Sequence, residues 1–232
     1  MAVRSIYLPA VSVENNLIHI DGEEHRHLAV ARAEIGETVE VFDGQGNVWT
    51  AAVESIGKRE AIVRVRESRR VERDPVELIL GLAMIRIAAF ELALEKAVEV
   101  GVTRIVPFTA SRSNVAPGNR HERWMRILIE AAKQSKHYCV PELDAAKTFE
   151  QTISIAASSK IMFAERDGHP LQPALAGSPV LYLVGPEGGW TDGEMAAALN
   201  AGFQLVSLGA SILKAETAAI VGGALIRYEL GN

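Results

Sequence analysis

Apolar and polar residues follow a β-type pattern through the first third of the chain. Between residues 3 and 71, short apolar runs alternate with turns, which is typical of strands. Residues 39–42 and 48–53 flank a glycine-bearing turn and predict a hairpin. Residues 61–66 alternate apolar with basic side chains, as a strand with one wet face does, and residues 25–33 predict a short helix.

The pattern changes after a charged, proline-bearing stretch at residues 72–75, which predicts a linker between domains 1–73 and 74–232. Beyond it, strand and helix signals alternate. Strands are predicted at residues 76–83, 103–108, 159–164, 180–184 and 203–208, and helices at 90–100, 121–135, 193–200 and 216–228. Such alternation predicts an α/β fold with a mostly parallel sheet covered on both faces.

Two of the predicted strands end in glycine-bearing turns, at residues 185–189 and at Gly209. In open α/β sheets, ligands bind beyond the carboxyl ends of the strands, and free backbone N–H groups suit a polar or anionic ligand. A single turn of this kind would be interpreted as an ordinary strand-to-helix connection; after residue 189, Thr191 or Asp192 can cap the following helix. Two turns about twenty residues apart favour a ligand crevice.

Composition narrows the class of protein. The 232 residues are 48% hydrophobic and 23% charged, values typical of a soluble globular protein. No apolar run approaches the ~20 residues that span a bilayer, and residues 1–16 lack the apolar core of a signal peptide. Cys139 is the only cysteine, so an intramolecular disulfide or a cysteine metal cluster is excluded. These features favour a cytoplasmic protein with no membrane contact and predict no metal site.

The net charge of −5 argues against nonspecific coating of nucleic acid. Residues 112–137 and 58–73 are nevertheless locally basic. A charge run of this kind is most often a solvated face, so the basic segments alone leave nucleic-acid binding open.

Residues 183–189 and 208–218 resemble the paired signature of a known family. They read Leu-Val-Gly-Pro-Glu-Gly-Gly and Leu-Gly-Ala-Ser-Ile-Leu-Lys-Ala-Glu-Thr-Ala. This is the RsmE family of the SPOUT superfamily, whose members make N3-methyluridine in small-subunit (16S) ribosomal RNA. Residues 95–102, 111–113 and 123–142 extend the match in order. The N-terminal part resembles the family's PUA-like β-barrel at Arg4, at residues 27–28 and at residues 42–44.

The resemblance implies a fold and a set of partners. Domain 74–232 would be a SPOUT methyltransferase domain with a C-terminal trefoil knot, preceded by domain 1–73 as a small PUA-like, RNA-binding β-barrel. The cofactor would be S-adenosylmethionine (SAM). The substrate would be 16S rRNA within the small ribosomal subunit. The protein would act as a homodimer whose active sites are completed by the partner.

The same resemblance implies the site residues. SAM would be bound by Phe163, Ala164, Leu183, Val184, Gly185, Pro186, Glu187, Gly188, Ser207, Leu208, Gly209, Ala210, Ile212, Leu213, Lys214, Thr217 and Ala218. RNA would be bound by Arg4, Arg86, Arg112, Arg123, Lys133 and Lys136. Backbone groups would read the adenine edge while apolar side chains cover its faces.

Methylation of uridine N3 needs more than cofactor binding, because N3 carries a proton at neutral pH. Arg112, Gln134 and Glu187 are the catalytic candidates. Arg112 would hold a phosphate or the uracil oxygens, unless it forms a surface salt bridge. Gln134 would donate a hydrogen bond to a base or lie on a polar helix face. Glu187 would accept the N3 proton or cap the following helix. Trp124 would belong to the core or stack on a flipped base.

The chain departs from the family pattern at several substrate-facing positions. Ser211 and Lys214 stand where the family usually has arginines, Ala88 and Ala89 replace a charged run, and His137 replaces an arginine. Two alternatives therefore stay open. One is methylation of another RNA site, such as a ribose 2′-hydroxyl, and the other is an RNA-binding homologue that has lost activity.

Overall fold

The computed structural model describes residues 3–165 and 168–231. The chain divides into two compact units. The first comprises the chain up to Arg73 together with Ala132–Val140, and the second comprises Asp74–Ala131 with the chain from Pro141 onward.

The first unit is built on a curled five-stranded sheet in the order β1-β3-β4-β5-β2. Its strands are β1 (Arg4–Tyr7), β2 (Leu17–Ile20), β3 (Thr38–Phe42), β4 (Asn47–Ile56) and β5 (Ala61–Arg70). β1 and β3 run parallel and the other pairs antiparallel. The predicted hairpin is confirmed as β3–β4, and inward-facing aliphatic residues of all five strands form the core.

Helix α1 (Gly22–Val30) lies between β2 and β3 and begins earlier than the predicted range of 25–33. Asp21 is its N-cap residue, and Glu23 and Glu24 occupy the first turn, where carboxylates favour the positive end of the helix dipole. The helix stops early because Arg32 adopts a left-handed conformation with φ of 51°.

Several contacts of residues 132–140 with the rest of the first unit meet at the carboxylate of Glu40. Glu40 on β3 accepts hydrogen bonds from Lys136 Nζ at 2.9 Å, Tyr138 Oη at 2.7 Å and Arg69 Nη2 at 3.1 Å. Partial burial raises the pKa of Glu40, but these donors outweigh it and hold the pKa below its ordinary value. The backbone adds bonds from Val140 N to Gly44 O and from Gly46 N to Tyr138 O.

The second unit contains a parallel sheet in the order β12-β10-β11-β6-β7-β8, with β9 also paired to β7. The strands are β6 (Leu78–Ala83), β7 (Arg104–Thr109), β8 (Glu142–Leu143), β9 (Lys147–Thr148), β10 (Ser159–Phe163), β11 (Val180–Val184) and β12 (Gln204–Val206). Every pairing is parallel, which confirms the predicted sheet. The central strands β6 and β11 are buried along their whole length, as expected of a sheet covered on both faces.

The helices of this part of the chain are α2 (Ile87–Glu99), α3 (His121–Ser135), α4 (Phe149–Ile153), α5 (Asp192–Asn200) and α6 (Ala215–Gly231). Thr191, and not Asp192, is the N-cap of α5, in a capping box with Glu194. Helix α6 packs closely on the sheet because Gly222 and Gly223 leave room for the rings of Phe163 and Tyr182. None of these described helices has both the length and the apolar character that a bilayer crossing requires.

The edge strand β12 lies between β10 and the connection that follows β10. On one side, Ala164 N donates to Val206 O at 3.0 Å. On the other side, His169 N donates to Leu205 O at 2.9 Å, and Ser207 N donates to His169 O at 3.0 Å. The backbone of β12 is therefore bonded to Ala164 on one side and to His169 on the other.

Candidate ligand cleft

A cleft of about 670 Å³ opens where β10, β11 and β12 end. These strands are neighbours in the parallel sheet, so their carboxyl ends meet at one edge. Three segments form most of its wall: residues 163–165 after β10, residues 184–190 after β11, and residues 207–216 after β12. Arg86, Arg112, Asp192, Met195 and Ala218 complete it. The two glycine-bearing turns predicted to frame a crevice both lie in this wall.

The wall after β12 offers backbone groups to a ligand. Among the described residues, the backbone of residues 208–213 has no backbone hydrogen-bond partner. Ser207 Oγ donates to Gly209 O at 3.0 Å and accepts from Gly209 N at 3.3 Å. Ile212 beside them is 75% exposed. Free amides next to unburied apolar side chains suit a planar ring with a polar edge, because the backbone bonds the edge and the side chains cover the face.

The wall after β11 is a loop held by two arginines. Arg112 Nη1 donates to Gly188 O at 2.9 Å and to Trp190 O at 3.2 Å. Glu187 Oε1 accepts from the backbone N of Arg86 at 3.2 Å and from its Nε at 3.3 Å. Since Arg86 is the N-cap residue of α2, this carboxylate satisfies a donor at a helix N-terminus. The loop is thereby tied to segments that follow β6 and β7.

Glu194 makes a further tie between α5 and the segment that carries Arg112. Its side chain is 6% exposed, and Oε1 accepts from Ser111 N at 2.8 Å. Its Oε2 accepts from Thr191 N at 2.9 Å and from Thr191 Oγ1 at 2.8 Å. Burial raises the pKa of Glu194, but the bonds from Ser111 and Thr191 outweigh burial and place the pKa below its ordinary value. The carboxylate is ionised at neutral pH and fixes the direction of the 110–113 segment.

The structure brings almost all predicted cofactor residues to the cleft wall. Leu183 and Thr217 are the exceptions. Leu183 is fully buried inside β11, so it supports the wall from below. The predicted cofactor set left out the lining residues Glu165, Gly189, Trp190, Asp192 and Met195. Most of these directly follow or interrupt the predicted motifs, and proximity in sequence was the available signal. Ser211, Ala215 and Glu216 also line the cleft, and they lie inside the predicted signature at residues 208–218.

The residues predicted to bind RNA fall into two groups. Arg86 and Arg112 line the cleft. The others engage carboxylates: Arg4 with Glu37, Arg123 with Glu91, Lys133 with Glu24 and Lys136 with Glu40. The Lys133 side chain is only 9% exposed, whereas that of Arg123 is 64% exposed. Their contact with RNA stays a prediction.

The remaining candidates lie outside the described wall of the cleft. Gln134 is exposed in the last turn of α3, and its role stays a prediction. Trp124 is 2% exposed, with its ring 4.6 Å from that of Phe90, so the core alternative is confirmed for this residue. Of the departures from the family pattern, Ser211 lies exposed in the cleft wall and Ala88 lies exposed in the first turn of α2.

Comparisons with known proteins cover nearly the whole chain. A family model for an RNA methyltransferase domain matches residues 72–227, and one for an RNA methyltransferase PUA domain matches residues 20–66. The chain is 32% identical to the ribosomal RNA small subunit methyltransferase E of Synechocystis, over 97% of this chain and 77% of that protein.

Solved structures give the same result. Ribosomal RNA small subunit methyltransferase E from Neisseria gonorrhoeae, bound to S-adenosyl methionine, matches with a TM-score of 0.92 and 29% identity over 99% of this chain and 98% of that one. A putative methyltransferase from Legionella pneumophila, in complex with the bound cofactor SAM, matches with a TM-score of 0.91 and 27% identity over 98% of both chains.

Proposed function

The chain belongs to the RNA methyltransferase family, among the ribosomal RNA small subunit methyltransferases E, and from this membership we propose that it transfers a methyl group from SAM to N3 of a uridine in 16S rRNA. The observation that carries the proposal is the cleft at the ends of β10, β11 and β12. Two of its three wall segments contain most residues of the paired sequence signature.

The cleft fits SAM in size and in chemistry. A volume of about 670 Å³ lies within the range of small-molecule sites. The unpaired backbone groups of Leu208 and of residues 210–213 would bond the adenine edge, and Leu208, Ile212 and Leu213 would cover its faces. When bound, SAM supplies a methyl group activated by a sulfonium centre. The two SAM-bound relatives with TM-scores of 0.92 and 0.91 support this assignment.

The chain's own residues must place the uridine and manage the N3 proton. Arg112 uses Nη1 to hold the loop at residues 185–190, while Nε and Nη2 have no hydrogen-bond partner among the described residues. In this proposal the free donors stabilise the negative charge that develops on the uracil oxygens as N3 loses its proton. Gln134 would bond the base.

Glu187 has a different part in the proposal. Its Oε1 accepts two hydrogen bonds from Arg86, and its side chain is 35% exposed. In this proposal Glu187 mainly holds the loop through Arg86, and it reaches the N3 proton only if that contact opens.

The proposal extends to the chain's topology and assembly. The backbone bonds of β12 to Ala164 on one side and to His169 on the other are in keeping with the C-terminal trefoil knot that we propose. Helices α2 and α6 pack on each other and carry exposed apolar side chains: Leu92 at 42%, Leu225 at 41% and Tyr228 at 67% exposure. A second copy of the chain would cover these side chains in a homodimer.

The first unit would hold the RNA, and the protein would act in the cytoplasm on small subunits. The PUA match at residues 20–66 supports this assignment for the predicted domain 1–73. Exposed arginines on β5, including Arg64 and Arg66, supply positive charge for phosphate contacts.

The proposal is tested by nucleoside mapping. The protein is incubated with SAM and small ribosomal subunits that lack the modification, and the rRNA is digested and analysed by mass spectrometry. N3-methyluridine at one position supports the proposal. A 2′-O-methylated nucleoside would instead support another RNA site, and RNA binding without methyl transfer at saturating SAM would support the inactive homologue.

A further inference from the structure

Trp190 joins two walls of the cleft. Its indole Nε1 donates a hydrogen bond of 2.8 Å to the backbone carbonyl of Phe163, where β10 ends. The same ring lies under Gly185, where β11 ends, because a Cβ atom added at Gly185 would be 2.9 Å from Cε2 of Trp190. One side chain therefore touches the ends of two neighbouring strands, and it lines the cleft itself.

The ring is also fixed from behind. It stacks on Phe108 with an interplanar angle of 4° and a centroid distance of 6.2 Å, and it tilts against Phe149 at 5.8 Å. Both phenylalanines belong to the buried core. A ring held in this way has little freedom to turn, so its N–H points to Phe163 without further ordering.

Burial of a tryptophan ring in this protein does not by itself require its N–H to be hydrogen-bonded, as the N–H of Trp190 is to Phe163. Trp124 shows the contrast, since it is 2% exposed and its Nε1 has no partner among the described residues. A core position in this protein thus accepts a tryptophan whose N–H is unused. At Trp190 the N–H is instead bonded to a main-chain carbonyl of a cleft-lining residue.

We infer that Trp190 is a positioning residue for the cofactor: its indole N–H sets the spacing between the wall at residues 163–165 and the wall at residues 184–190. The inference deepens the proposed function and rests on it. Without the N–H, the Phe163 carbonyl is released and the two walls separate more readily. SAM binding would weaken while the chemistry on uridine is unaffected, because Trp190 does not act on the base.

The test compares Trp190→Phe with Trp124→Phe, since both changes keep a six-membered ring, lose the same ring volume and remove an indole N–H. A net hydrogen bond predicts that Trp190→Phe raises the Kd for SAM, measured by calorimetry, and the KM for SAM by the same factor of about three to ten. We expect kcat and the KM for rRNA to stay at wild-type values. We also expect Trp124→Phe to bind SAM as the wild type does.

Two results would overturn the inference: wild-type affinity in Trp190→Phe, or an equal loss in Trp124→Phe, which would indicate general loosening. Failure of the proposed function is distinguishable, because then the wild-type protein itself gives no binding heat with SAM. If Trp190→Phe does not fold, the wild-type protein is tested instead. Its three tryptophans give three indole N–H resonances, and deuterium exchange at Trp190 should slow when SAM is added. An unchanged exchange rate would refute the positioning role.

Discussion

Substitution of Gly222 by alanine sets two effects against each other in the helix that packs under the cleft. Alanine is favoured over glycine inside a helix by about 1 kcal/mol. A Cβ at position 222, however, would overlap Cε2 of Phe163 and lie 2.6 Å from its Cζ. The Phe163 ring is 7% exposed and packs edge-on against the fully buried Tyr182, so it has little room to retreat.

The overpacking should win. Inserting a methyl group into a filled core costs typically about 1–3 kcal/mol, and this overlap belongs at the upper end. After the helix-propensity gain, we expect Gly222→Ala to lower the free energy of unfolding by about 1–2 kcal/mol. For a protein of this size that corresponds to a fall of roughly 2–8 °C in Tm. Since Phe163 lines the cleft, the affinity for SAM should fall as well.

Calorimetric unfolding measures the effect, and the relevant transition is the one that SAM shifts to higher temperature. Gly193→Ala is the matched control. Gly193 lies exposed in α5, and a Cβ there would meet nothing within 4 Å. This variant should be as stable as the wild type or gain up to about 1 kcal/mol. If Gly222→Ala proved as stable as Gly193→Ala, the argument from packing would be wrong.

Three further substitutions test the cleft. Gly185→Trp should abolish SAM binding in calorimetry, because its side chain must displace the ring of Trp190; retained binding would contradict the proposed site. Arg112→Met should lower kcat by about 10²-fold if its free donors stabilise the uracil anion, whereas an unchanged kcat would remove it from the chemistry. Glu194→Gln should be less stable than the wild type at neutral pH. That difference should shrink as the pH falls below 4.5, the ordinary pKa of the group, and through the lowered pKa of Glu194, because the hydrogen bonds from Ser111 and Thr191 favour only the ionised carboxylate. A difference in the free energy of unfolding in urea that stays constant from pH 7 to acid would refute this.

The alternation of apolar runs and glycine turns was sufficient to predict the parallel sheet. It also located the ligand edge, because the carboxyl ends of parallel strands necessarily meet there. It missed α4 (Phe149–Ile153), since a five-residue helix is too short to show a helical period. The two-residue strands β8 and β9 escaped for the same reason.

Side-chain contacts between residues far apart in the chain could not be predicted from the sequence. Nothing in the order of residues indicates that the Trp190 indole donates to Phe163, 27 positions away, or that Glu187 engages Arg86, 101 positions away. These contacts depend on which strands become neighbours. The family resemblance supplied the residues predicted to bind SAM, but it could not tell which of them are already engaged by other side chains.

The chain leaves the first unit at Arg73 and returns to it for Ala132–Val140, and this has a consequence for how such a unit can be inherited. A gene fragment ending at Arg73 would encode Glu40 and Arg69 but not Lys136 and Tyr138, the other two donors to that carboxylate. A recombination event with its boundary at Arg73 therefore cannot move the unit intact. Exchange between related genes must carry both pieces or replace Glu40 together with its donors, so substitutions at position 40 and at positions 136 and 138 should change together during evolution.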